Sequence, residues 1–375
     1  MGVRALLIAG ACAAARPAAA QRRAVQPAPE SWLVAIEAEG AYESNVRFQS
    51  PNDPGDQIGR LNGSALRSWQ GPRGQISFAG RGSAAMYRDS RDLNRFTYDL
   101  VADGARRVTP RLTMSGAALY ETRLSSELNA AVSDLPILPL SLSRTIGGST
   151  LAEYRLSPLM STTGRVEYTR VTFDSPLLFD GDALDARATL ARRYAREASV
   201  SLVGEAQQGS TQGQPLATQT AAAAWDATRG NLGARLQAGV TRSSAGPTPH
   251  YGPSGAAELR LRVHTTGQAM ARYTRTVAQA FGLGTLLTTD QVAAGYDRAS
   301  LRGTLVHLGV SRGWSSDPTR IGGQLVTSDA TVDLRKVFLS GVTVGGGAFV
   351  RRRVDVQQVT GTGVRLVFGY TLRAR

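Results

Sequence analysis

The sequence predicts an all-β protein, a transmembrane antiparallel up-and-down β-barrel of about 16–18 strands. Three observations predict it. Residues Ala257 to Tyr273 read AELRLRVHTTGQAMARY. Ala257, Leu259, Leu261 and Val263 alternate with Glu258, Arg260, Arg262 and His264, the period of a strand with one apolar and one polar face. Thr265-Thr266-Gly267 then makes a tight turn, after which Ala269, Ala271 and Tyr273 alternate with Gln268, Arg272 and Thr274. Second, this unit recurs along the whole chain, with short turns alternating with longer polar loops as in membrane barrels. Third, no apolar run after the leader approaches the roughly 20 residues that a transmembrane helix requires.

Residues 1–20 of the 375-residue chain read as a signal peptide. Arg4 supplies the positive start, Ala5 to Ala15 the short apolar core, and Ala18-Ala19-Ala20 before Gln21 an A-x-A cleavage site. Removing Arg4 and Arg16 with it lowers the formal charge from +14 to +12. Cys12 is the only cysteine and reads as a small residue of that core. A lipoprotein signal is the alternative, against which Ala9 stands where a larger aliphatic is usual. After ordinary cleavage the mature chain carries no disulfide or thiolate chemistry. Residues 21–31 read as a flexible periplasmic lead-in, and 32–375 as the barrel.

The elements then follow in order. Trp32, Val34, Ile36, Ala38, Gly40 and Tyr42 share one face of the first strand, with Glu37, Glu39 and Glu43 opposite. Arg60 to Gln70 is the second, and Gly71-Pro72-Arg73-Gly74 turns it into Gln75 to Tyr87. Phe96 to Ala102 turns at Thr109-Pro110 into Leu112 to Tyr120. Ile146 to Leu156 and Gly164 to Phe173 follow, joined near Ser157-Pro158. Leu184 to Leu190, Ala198 to Gly204, Leu216 to Trp225 and Leu232 to Val240 precede the opening hairpin. Leu287 to Tyr296, Leu301 to Val310, Gln324 to Leu334, Val342 to Val350 and Val364 to Leu372 complete about eighteen strands. Sixteen is the alternative, because Leu216 to Trp225 and Leu287 to Tyr296 alternate less cleanly.

A soluble propeller or sandwich would need more large apolar residues in its core than a chain with 6% aromatics and 41 glycines supplies. Lipid-facing residues need only be apolar. Tyr42, Trp69, Tyr120, Tyr154, Tyr168, Tyr273, Tyr296 and Tyr370 are expected in the aromatic girdles near strand ends. The Gly345-Gly346-Gly347 run reads as a kink that helps the sheet curve.

The polar faces are expected to line the lumen. Arg165, Glu167, Glu258, Arg260, Arg262, Arg272 and Arg365 are the candidate lumen residues, and positive and negative groups nearly balance. The excess positive charge therefore belongs to turns, strand ends and loops. The loop Ser125 to Leu140 carries an apolar run in which Leu135, Ile137, Leu138 and Leu140 are candidates for a constriction folded into the lumen. The alternative is that this run packs on the rim or meets a partner.

No catalytic or metal constellation stands out. His250, His264 and His307 are scattered, and no H-E-x-x-H occurs. The clusters Asn52-Asp53-Pro54-Gly55-Asp56 and Asp180-Gly181-Asp182 lack EF-hand spacing and read as turn formers. No cofactor is expected, and no nucleic-acid partner, since no recognition helix or aromatic-basic motif appears.

Tyr42-Glu43-Ser44-Asn45-Val46, followed by a polar loop with Asp53 and Asp56, resembles the opening of outer-membrane β-barrel porin-like proteins of Gram-negative bacteria. Some members of that group accompany exopolysaccharide export. Val364 to Leu372 likewise resembles the C-terminal strand read by the barrel assembly machinery, although the chain ends Arg373-Ala374-Arg375 rather than on an aromatic. The expectation is an outer-membrane channel for small hydrophilic solutes or saccharides, in contact with lipids and lipopolysaccharide, with a homo-oligomer allowed. A plugged anchor barrel or an accessory to an export system is the second reading, and a lipid-modifying enzyme the least favoured.

Overall fold

The computed structural model describes residues 31–47, 53–125, 141–211, 214–245, 248–300, 303–316, 325–354 and 358–374. The expected signal peptide and most of the lead-in lie outside them. Eighteen strands run in order: β1 (Ser31–Glu43), β2 (Asp56–Gln70), β3 (Gly74–Tyr87), β4 (Arg95–Arg107), β5 (Leu112–Leu124) and β6 (Leu142–Arg155). Next are β7 (Met160–Phe173), β8 (Gly181–Ala195), β9 (Ala198–Thr211), β10 (Gln214–Arg229), β11 (Leu232–Ser244) and β12 (His250–His264). The last are β13 (Gly267–Ala280), β14 (Thr285–Ala299), β15 (Thr304–Ser316), β16 (Leu325–Val337), β17 (Val342–Val354) and β18 (Gln358–Ala374). The two segments with weaker alternation are full members, β10 and β14.

Each strand pairs antiparallel with its sequence neighbour, and β18 closes on β1 from Trp32↔Ala374 to Glu43↔Gly363. Closure pairs the backbone N–H and C=O groups of both ends of the sheet, the condition for strands to cross hydrocarbon. One barrel end carries tight connections of two to four residues, such as 71–73, 196–197 and 230–231. The other carries the longest ones, up to residues 125–141, although β9–β10, β13–β14 and β17–β18 are joined there by only two to four residues. Several of these are shorter than the sequence suggested: β2 already begins at Asp56, and β11 and β12 extend to Ser244 and His250. Strand tips above the apolar band lose their side-chain alternation but keep their backbone ladder.

The register fixes which side chains face lipid. On β1 the outward row is Trp32, Val34, Ile36, Ala38, Gly40 and Tyr42, and it continues into Leu61 and Ala65 of β2 and Phe368 and Leu366 of β18. Ile36, Leu61, Leu100, Leu202, Leu366 and Phe368 are all more than half exposed. Trp32 and Tyr42 are ten residues apart on β1. At about 3.4 Å per residue and a tilt of roughly 40–45°, they stand about 25 Å apart along the barrel axis, the height of an outer-membrane apolar band.

Aromatic rings gather at both levels. Arg67 lies 5.0 Å from the Trp32 ring centroid and 4.5 Å from that of Trp69 at the turn end. Phe96, Tyr98 and Tyr120 stack at the loop end, at 6.0 and 5.7 Å between centroids. Tyr273 is the exception among the expected girdle residues. It sits in the middle of β13, where its hydroxyl donates to Asp290 at 2.7 Å.

Candidate functional site

The side chains alternating with the apolar rows face the barrel interior, and they are arranged in rows across neighbouring strands. Asp226, Arg235, Glu258 and Arg272 are successive register partners on β10 to β13, alternating in sign. Arg235 Nε lies 3.6 Å from Asp226, and Arg260 contacts Glu258 along β12. On β7 and β8, Arg165 stands opposite Arg187 and Glu167 opposite Asp185. Three of these four charges are relieved by other contacts, Arg165 and Glu167 by each other along the strand and Arg187 by Glu205 at 3.5 Å. Part-exposed pairs of this kind contribute only about 0.2–1 kcal/mol each. Their larger effect is to set the local field.

Arg365 makes the best-formed pair. Its Nε and Nη2 donate to Asp333 Oδ1 at 3.0 and 2.7 Å, and Nη2 also donates to Oδ2 at 2.7 Å. The two residues belong to β18 and β16, and the inward residue of β17 between them is Gly347. A Cβ on Gly347 would collide with Asp333 Oδ1. The glycine run of β17 thus leaves room for charged side chains to cross over it, which is a more specific role than bending the sheet.

All seven candidate residues, Arg165, Glu167, Glu258, Arg260, Arg262, Arg272 and Arg365, carry the inward register parity. Sequence reading omitted several other inward charges, including Asp226, Glu205, Arg335 and Arg60, and Asp333, the partner of Arg365. Arg60 bridges Glu39 and Glu43, the latter at 2.9 Å. Asp333 and Arg335 flank Leu334, which is 54% exposed on the outer face, so strict alternation from that leucine would have found both.

Toward the turn end the balance changes. Arg107, Arg155, Arg193 and Arg262 are inward on β4, β6, β8 and β12, exposed, and without an ionic partner among the described residues. They form an electropositive collar at that exit. At the loop end, by contrast, Arg47 pairs with Asp92 at 2.6 Å and Arg144 with Asp174 at 3.0 Å.

The loop-end mouth is crossed by the β13–β14 hairpin. Gln279 and Leu286 have outward parity and Ala280 and Leu287 inward parity, yet all four are buried, at 4%, 1%, 0% and 7% exposure. The tip has therefore left the wall. Gln279 Nε2 donates to Thr211 Oγ1 at 3.0 Å and to the Ser210 carbonyl at 3.3 Å. Phe179 and Gly282 exchange N–H···O bonds at 3.2 Å. Four strand spacings of about 4.8 Å would hold β9 and β13 about 19 Å apart on a smooth cylinder. These contacts instead join them directly and narrow the opening. The expected constriction residues Leu135, Ile137, Leu138 and Leu140 lie outside the described residues, although their loop is clamped at its base by Ser125 N–H to Ser141 O at 2.8 Å.

The loop carboxylates hold turns together. Asp56 accepts N–H bonds from Gln57, Asp89 and Ser90, tying the first loop to the second. Asp180 accepts the Phe173 N–H at 2.8 Å. His250 and His264 stand at opposite ends of β12, and His307 Nδ1 lies 2.7 Å from Asp297 on the neighbouring strand.

No protein-family model matches the chain, and no curated protein matches it by sequence. Solved structures do match in shape. OccK2 (OpdF) of Pseudomonas aeruginosa superposes with a TM-score of 0.53 at 10% identity, covering 92% of this chain and 98% of that one. OccK1 (OpdK) of the same organism gives 0.51 at 11% identity, covering 92% and 99%. OpdQ, also from Pseudomonas aeruginosa, gives 0.51 at 11% identity with the same coverage. At these identities the likeness is one of fold: the chain is a closed antiparallel barrel on the plan of these outer-membrane proteins.

Proposed function

We propose that the protein is a porin-like channel of a Gram-negative outer membrane, passing small hydrophilic solutes or saccharides passively. The observation that carries this reading is the interior itself. Rows of paired charges line a closed barrel of eighteen strands whose exterior is apolar, and barrels of this size enclose an aqueous channel. Arg165, Glu167, Glu258, Arg260, Arg262, Arg272 and Arg365 line the path and set its selectivity by their local fields. The carboxylates and histidines serve pairs and turns rather than a catalytic constellation, which supports a conduit over an enzyme.

The barrel spans residues 32–375 after removal of a signal peptide at 1–20, with residues 21–31 as the periplasmic lead-in. Its outer face meets lipid and lipopolysaccharide, and β18 carries the signal for the assembly machinery. Assembly as a homo-oligomer is compatible with this surface.

The mouth-crossing hairpin favours a second reading, a plugged barrel serving as an anchor or an accessory to an export system. Single-channel recording of the refolded barrel in a planar bilayer separates the two. Steady ohmic steps are expected of the channel; silence from a heat-modifiable, folded barrel would favour the plug.

A further inference from the structure

The membrane-facing wall is not convex throughout. Outward residues of β7 to β13 line an open cleft of about 910 Å³ on the outer face, within the size range of ligand sites. Small outward residues, Ala223, Ala238, Gly255 and Ala257, form the floor. Leu190, Leu202, Leu236 and Trp225 form the sides.

The ends of the cleft differ. Arg275 closes the upper end and is already paired with Asp290 at 3.4 Å. Arg192 stands at the lower end, outward on β8, exposed and without a partner among the described residues. Nearby, Trp225 Nε1 donates to the Tyr194 hydroxyl at 2.8 Å, a polar-tipped aromatic pair of the kind found at headgroup level. Short turns mark the periplasmic end of such barrels, so Arg192 lies in the leaflet made of phospholipid.

An apolar cleft facing hydrocarbon does not stay empty. Water finds no polar partners on its floor, and an unfilled void forfeits the dispersion contacts of its lining. We propose that a phospholipid of the periplasmic leaflet occupies it, one acyl chain in the cleft and its phosphate on the Arg192 guanidinium. The inference rests on the outer-membrane reading but not on conduction.

The test uses the full-length protein extracted from membranes in mild detergent. Native mass spectrometry is expected to show one diacyl phospholipid surviving activation that strips the other adducts. Arg192→Gln should lower its occupancy about tenfold, the loss of one charge-assisted phosphate contact, and Ala238→Phe should exclude it by filling the floor. Heat-modifiable migration confirms that each variant is folded, and conductance, recorded separately, reports on the channel reading. Four outcomes would overturn the proposal: no retained lipid, a lipopolysaccharide adduct instead, a second protein copy in the cleft, or a phospholipid unaffected by both variants.

Discussion

Arg335 of β16 places its Nη1 3.3 Å from Glu37 Oε2 of β1, reaching over β17 and β18 to do so. The contact links the last quarter of the barrel to its first strand from inside. Both side chains keep more than a quarter of their surface exposed, 29% and 27%, so solvent screens the pair. Glu37→Gln is expected to cost less than about 1 kcal/mol in urea unfolding. It should nevertheless shift the reversal potential in a salt gradient toward anions. A double-mutant cycle with Arg335→Gln should give a coupling of about 0.2–1 kcal/mol, and a reversal potential indifferent to both changes would remove the pair from the conduction path.

Gly347 should be the least replaceable residue of β17. A methyl group there runs into Asp333 Oδ1 and meets the Val332 carbonyl at 2.8 Å. Gly347→Ala is expected to break the bidentate Asp333–Arg365 pair and cost about 1–3 kcal/mol as overpacking. Gly40 faces lipid with nothing within 4 Å of where a Cβ would stand, so Gly40→Ala should leave the unfolding midpoint almost unchanged. Equal midpoints for the two variants would contradict the crossing geometry.

The arginine collar predicts a salt-dependent selectivity. Replacing Arg107, Arg155, Arg193 and Arg262 together by Gln should reduce the anion-to-cation permeability ratio when measured at low salt. Screening lengths fall from about 10 Å at 0.1 M to about 3 Å at 1 M, so the difference from the parent should nearly vanish in molar salt. A change of equal size at both concentrations would point to altered pore shape rather than to charge.

The hairpin across the mouth predicts a gain of conductance. Gly284 has φ +70° and lies under Phe179, whose ring is 2.7 Å from where a Cβ would stand. Gly284→Val combined with Gln279→Ala removes both the tight turn and the hydrogen bonds to Ser210 and Thr211. Larger single-channel steps with unchanged ion selectivity are expected. Unchanged steps would place the narrowest point elsewhere, with the loop at residues 126–140 the next to shorten.

The strand count, the alternation and the side of each turn were legible because they depend on neighbours in sequence. Leu259 and Leu261 announce an outward face whatever pairs with them, and Glu258 and Arg260 follow by alternation. Which charges meet was not legible. Asp333 finds Arg365 only through the registers of two strand pairs and the space above Gly347, and no local pattern carries that information. The mouth was missed for a similar reason. Gln279 and Leu286 continue an ordinary outward row, and only tertiary contact with Phe179 and Thr211 lifts them out of the wall. The cleft is written in Ala223, Ala238, Gly255 and Ala257, which in sequence look like any other small lipid-facing residues.

The seam between β1 and β18 joins the first strand of the barrel to the last one a ribosome makes. Until residues 358–374 emerge, the N–H and C=O groups on the β18 side of β1 have no mate, and no earlier strand is registered to take them. The growing chain therefore cannot settle into the bilayer piece by piece. A product cut short within β18 would carry two raw edges into hydrocarbon, a state each exposed peptide group makes worse. Production of this protein should accordingly be all or nothing, with truncated chains retained in the periplasm for proteolysis rather than inserted as smaller barrels.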